Sequence, residues 1–144
     1  MRLRRKAREI ALQVLYQLDV LRIDPREALD LFWGHFSAPA DAREFASELV
    51  EGTWDHRDEI DQLISTCSEN WSRERMARVD RNILRLAVYE LLYSQGIPPK
   101  VALNEAIDLG KEFGSENSGS FINGILDALY SQLRKDHADQ GDNG

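Results

Sequence analysis

Ala7, Ile10, Ala11, Val14, Leu15 and Leu18 follow one another at spacings of three, one, three, one and three residues, and most positions between them are polar. That rhythm predicts an amphipathic helix with a single buried stripe. Asp24, Pro25 and Glu27 then supply an N-cap, a proline at the first helical position and a capping-box acid, and Gly34 offers a stop. A second helix is therefore expected from about Pro25 to Trp33.

Pro39 and Asp41 introduce a third helix carrying Phe45, Leu49 and Trp54, and "DEIDQLISTC" continues with Ile60, Leu63, Ile64 and Cys67 at helical spacing. Whether a break or a kink lies near His56 is open at this level. "ARVDRNILRLAVYELLYS" has the widest apolar face, with Ile83, Leu84, Ala87, Val88, Leu91 and Leu92, and suits a central position. "QGIPP" ends it. "VALNEAIDLGKEFG" is helical again, with Gly114 expected as a left-handed cap. After the turn "SENSGS" a last helix buries Ile122, Ile125, Leu126, Leu129 and Leu133.

No stretch alternates apolar and polar residues for more than a few positions, and Pro and Gly sit between helical segments. The chain is predicted to be all-α, a compact bundle of about seven helices. Residues 1–133 are expected to form one domain, and "RKDHADQGDNG" at 134–144 a flexible polar tail. A domain of this size buries roughly two thirds of its unfolded surface and needs no disulfide or metal to fold. The apolar share of 42% agrees with a globular core.

Charge changes the picture at one place. Arg2, Arg4, Arg5, Lys6 and Arg8 put five cations and no acid into the first eight residues, while the net charge is −7, so the other 136 residues carry −12. Non-specific attraction to nucleic acid is disfavoured by such an acidic body, and contact with phosphate should be local to this end. A solvated tail would explain the cluster as well. Against that reading, the helix dipole opposes cations at a helix N-terminus, so an anionic partner would compensate. Guanidinium groups bind phosphate bidentately, and free N–H groups of a first helical turn add to it. If all five charges engaged single-stranded RNA, log affinity would fall by roughly three to four units per unit of log salt.

Other chemistry finds little support. Cys67 is the only cysteine, which excludes an internal disulfide and a cysteine-based zinc site, and His35, His56 and His137 are isolated. Asp55, His56 and Asp58 lie together without a nucleophile and read as a solvated helix junction. Cys67 reads as a small buried hydrophobe, and Trp33, Trp54 and Trp71 as core anchors. No catalytic residues, metal or cofactor are expected. No apolar run reaches the roughly 20 residues that span a bilayer, so the expected location is the cytoplasm.

Three stretches, "RRKAREIALQVLY", "VDRNILRLAVYEL" and "IPPKVALNEAIDLGKEFGSENSGSFINGIL", together resemble the bacterial transcription antitermination factor NusB family. They lie in collinear order across nearly the whole chain. The resemblance implies an all-helical fold of two subdomains without enzymatic activity. It implies binding to the boxA element of ribosomal RNA leader transcripts, as single-stranded RNA, together with NusE, a small-subunit ribosomal protein, within the RNA polymerase antitermination complex.

Carried onto this chain, the family's arginine-rich RNA-binding motif falls on Arg4, Arg5, Lys6 and Arg8, with Arg2 as a further cation. A second RNA-contacting region falls on "ENSGSF", where Phe121 would stack on a base beside Asn117. The NusE surface would use Tyr16, Glu74 and Asp80. Ser120 stands where many members have a lysine, which shifts electrostatic work onto the N-terminal cluster. Phe121 also reads as a core residue of the last helix. Two other functions stay open: an RNA-holding accessory domain of a ribosomal RNA methyltransferase system, and a protein-only helical scaffold. A homodimer through the same helix surface stays open too.

Overall fold

The computed structural model describes residues 2–68, 76–94 and 96–142. Among them are seven helices and no strand: α1 (Arg2–Leu21), α2 (Pro25–His35), α3 (Ala40–Asp55), α4 (Arg57–Thr66), α5 (Arg78–Tyr93), α6 (Pro99–Phe113) and α7 (Ser118–Asp142). Trp71 and Glu74 lie outside the described residues.

The stripe of α1 is buried as its spacing requires, from Ala7 to Leu18, and packs on α3 and α5. Burying a Val, Leu or Ile contributes about 1.5–3 kcal/mol. Ile10, Val14, Leu15 and Leu18 therefore outweigh the dipole's opposition to the first-turn cations, which costs about 0.3–1 kcal/mol per charge. α1, α2 and α3 pack on one another, as do α4 to α7 through α5, and α5 touches both groups. Its residues Asn82 to Glu90 are all buried, so the widest apolar face does take the central place.

Three local expectations need adjustment, and the open point near His56 is decided. α2 runs through Gly34 to His35, and Asp24, although extended as an N-cap should be, makes no side-chain cap. The segment after Pro39 is two helices, broken at His56 with φ −99° and ψ 15°. Gly114 is not left-handed: its φ is −93° and ψ −161°. What demands glycine there is space, since a Cβ would collide with the Ser118 side chain and the Gly110 carbonyl. The polar stretch expected as an irregular tail from residue 134 continues α7 to Asp142. No Pro and only Gly141 interrupts it, and Arg134, Lys135 and Asp136 stay exposed, so the helix there lacks an apolar face.

Arg8, Arg81 and Arg85 form ion pairs across the helix interfaces away from the exposed surface. Arg85 holds Asp61 of α4 through two bonds of 2.7 and 2.8 Å. Arg81 reaches Asp19 of α1 from Nε at 3.0 Å and Nη2 at 2.6 Å, and Asn82 donates to the same carboxylate at 3.1 Å. Arg8 joins Glu90 at 2.8 Å with both side chains buried.

Candidate nucleic-acid interface

The first turns of α1 decide what the basic cluster can bind. Because Ala7 and Ile10 face the core, Arg4, Arg5 and Lys6 are left on the outer side, all exposed. Arg4 lies with its guanidinium 5.6 Å from the Phe45 ring centroid, a cation–π approach that holds the side chain against α3. Neither Arg4 nor Lys6 forms an ion pair among the described residues, so both present charge to solvent. Arg5 is also exposed but leans on α6, bound to Glu105 and Asp108.

Arg8 differs from the expectation. It is 2% exposed and its Nε donates to Glu90 at 2.8 Å, so it is a core residue tying α1 to α5 rather than a surface ligand for phosphate. Its position one turn after Arg4 and Arg5, on the same side as Ala7 and Ala11, turns it inward. Nη2 of Arg8 is buried without a hydrogen-bond partner, and the guanidinium lies 5.7 Å from the same Phe45 ring. Burial raises the Glu90 carboxyl above its ordinary range, and the Arg8 charge and hydrogen bond offset that only in part.

The second expected region is the turn between α6 and α7. Ser118 Oγ accepts from the Ser115 N–H at 2.8 Å, and the Phe121 N–H bonds to the Asn117 carbonyl at 3.0 Å, which together fold the turn into the start of α7. Asn117 and Ser120 are exposed, and Phe121 is half-buried against the core. Both readings of Phe121 thus share one side chain: part of the ring packs, and the rest remains accessible.

The profile of the NusB family matches residues 5–131. This chain belongs to the NusB family. It is 62% identical over 140 residues to the transcription antitermination protein NusB of Syntrophus aciditrophicus, covering 97% of this chain and 87% of that protein. With NusB of Myxococcus xanthus it shares 51% identity over 136 residues, covering 92% and 97% of the two chains. Among solved structures, NusB of T. maritima superposes with a TM-score of 0.79 at 39% identity, covering 88% of this chain and 89% of that one. A NusB chain from a crystal structure of NusB and NusE with double-stranded RNA reaches 0.82 at 34% identity, covering 92% and 98%.

Of the residues expected to meet NusE, Tyr16 stands 40% exposed on α1. Asp80 sits in the first turn of α5, only 7% exposed, with Oδ1 buried and lacking a hydrogen-bond partner among the described residues. Glu74 lies outside the described residues. The family reading of the turn also overlooked Lys111. This exposed lysine lies in the last turn of α6, and its stem runs against Gly119: a Cβ there would come within 3.1 Å of Lys111 Cγ. A cation therefore stands beside the turn after all, supplied by α6 rather than by position 120. Sequence distance hid it, since only the reversal of the chain between α6 and α7 brings 111 and 119 together.

The group Asp55, His56 and Asp58 forms no acid–base constellation. His56 stacks on Tyr93 at 4.0 Å between centroids, and its Nδ1 lies 3.7 Å from Glu59. Among the described residues no cluster of His, Cys, Asp and Glu could hold a metal ion.

Proposed function

We propose that this chain is a non-catalytic transcription antitermination factor that binds boxA-type single-stranded RNA together with NusE and so joins the RNA polymerase antitermination complex. The observation that carries this reading is the first turn of α1, where Arg4 and Lys6 stand exposed and, among the described residues, without carboxylate partners on a body whose other 136 residues sum to −12. Membership of the NusB family supports it, as does the likeness to a NusB chain solved with NusE and RNA. Asn117, Phe121 and Lys111 would extend the contact along the α6–α7 turn. Tyr16 and Asp80, on helices that pack together, would face NusE. The protein works in the cytoplasm in this reading, and among the described residues no helix is long and apolar enough to cross a membrane.

The test is a fluorescence anisotropy titration of the complex with NusE against a boxA-type single strand at two salt concentrations. With Arg8 buried and Arg5 shared with acids, the three cations Arg4, Lys6 and Lys111 predict a slope of about −2.1, at about −0.7 per neutralised phosphate, rather than the value for five. Absence of binding, or affinity independent of salt, would end this reading.

A further inference from the structure

Arg5 carries its own substitute for a phosphate. Its Nε donates to Glu105 Oε2 at 3.2 Å, and its Nη2 donates to Glu105 Oε1 at 3.1 Å and to Asp108 Oδ2 at 3.3 Å. This is the edge through which a guanidinium takes a phosphate bidentately, and here two carboxylates occupy it. Among the described residues only Nη1 is left without a protein acceptor. Glu105, Asp108 and Glu112 recur three and four residues apart on α6, and all three act electrostatically on Arg5. A strand arriving at Arg5 meets negative charge as well as the cation.

The exposures suit exchange. The Arg5 and Asp108 side chains are each 54% exposed, whereas Glu105 is 19% exposed and held closer to the body. An exposed pair of this kind is screened and loosely held, so a phosphate can replace a carboxylate there. Arg8 cannot exchange in this way, being buried on Glu90, and Arg4 and Lys6 have no carboxylate to give up. The four cations are thus graded from closed through occupied to open.

We propose that Glu105 and Asp108 set the strength of RNA binding by competing with RNA phosphate for the guanidinium edge of Arg5, an inference that rests on the RNA-binding reading above. The arrangement keeps an exposed arginine from seizing any passing polyanion, because its fork is filled until a strand anchored elsewhere delivers a phosphate.

The test compares wild type with the Glu105→Gln/Asp108→Asn double variant, each with NusE, in anisotropy titrations on the boxA-type strand at two salt concentrations. Neutralising both acids is expected to raise affinity about fivefold at low salt and to steepen the slope by about 0.7, one further phosphate. Asp108→Asn alone, at an exposed position that the fold does not need, should move affinity the same way by a smaller amount. Adding Arg5→Ala to the double variant should abolish the gain. Unchanged or weaker binding in both acid variants, or a gain that survives undiminished without Arg5, overturns the inference. If wild type binds no RNA under these conditions, the functional reading falls and takes the inference with it. If wild type binds and the variants do not differ from it, only the inference falls.

Discussion

The starts of α1 and α5 are both rich in arginine: Arg2, Arg4, Arg5 and Arg8 in one, Arg78, Arg81 and Arg85 in the other. At α5 Arg81 and Arg85 turn inward, where they meet Asp19 and Asp61 and fasten α5 to α1 and α4, while Arg78 stays exposed. At α1, among the described side chains of the cluster, Arg8 alone turns inward, while Arg4 and Lys6 stay at the surface. The residue type is the same and the consequence differs, because what an arginine does depends on whether the fold sets a carboxylate opposite it. An arginine with a buried partner is structural, and one without is available to a ligand.

The carboxylates that these arginines hold titrate in opposite senses. Burial pushes Asp19 upward, but the bonds from Arg81 and Asn82 and the Arg85 charge prevail and hold it below its ordinary 3.8. Glu90, with burial dominant, rises above its ordinary 4.5.

Removing the inward arginines should break the comparison most visibly. Arg85→Ala takes away the bidentate partner of a buried carboxylate and is expected to cost about 3–5 kcal/mol in urea unfolding. Arg8→Ala strands Glu90 and should cost somewhat less, about 3 kcal/mol, because one bond is lost and Glu90 can take up a proton. The Arg8→Met/Glu90→Met pair removes both charges and is expected to recover most of that loss. A stable Arg8→Ala protein with weakened RNA binding would return Arg8 to the surface cluster.

The titration contrast predicts the next effect in size. Asp19 binds protons less readily folded than unfolded, so its contribution is present above about pH 3.8 and is lost as pH falls through its lowered value. Glu90 keeps a proton that the unfolded chain has released above about pH 4.5, so its contribution is present at lower pH and is lost as pH rises through its raised value. Urea midpoints across this range should show Asp19→Asn losing less stability than wild type on acidification. Glu90→Gln should lose less on the rise from about pH 4.5.

Outward cations should affect RNA and spare the fold. Arg4→Ala/Lys6→Ala is expected to lower RNA affinity tenfold or more and to remove about 1.4 from the salt slope, with stability changed by less than about 0.5 kcal/mol. A large stability loss would place these two with the inward group. The smallest effect is expected at Lys111→Ala, a few-fold loss of RNA affinity with a slope change of about 0.7, one phosphate contact. An unchanged slope would remove Lys111 from the interface.

Most helices were legible because their apolar residues repeat at helical spacing and prolines or glycines separate them. Boundaries were less so. The α1 end needs Arg22 in a left-handed conformation at φ 56°, its N–H bonded to the Leu18 carbonyl at 2.9 Å, and no glycine marks it. Near His56 the sequence left a break or a kink open, because the polar residues there all tolerate a helix, and the structure has the break. Of the site, the positions of Arg4, Lys6 and Tyr16 on exposed surface followed from helical register, and that of Asn117 from the turn it occupies. The fates of Arg5 and Arg8 did not, because their partners lie on α6 and α5, at least 82 residues away.

By itself, then, the sequence determined the helices, the acidic body and the concentration of positive charge at one end, since local spacing and composition are carried by neighbours along the chain. Only the tertiary structure decided which of those charges are free. Coulomb energy and desolvation depend on distance and burial in space, and it is the packing of α1 on α5 and α6 that buries Arg8, occupies Arg5 and leaves Arg4 and Lys6 open.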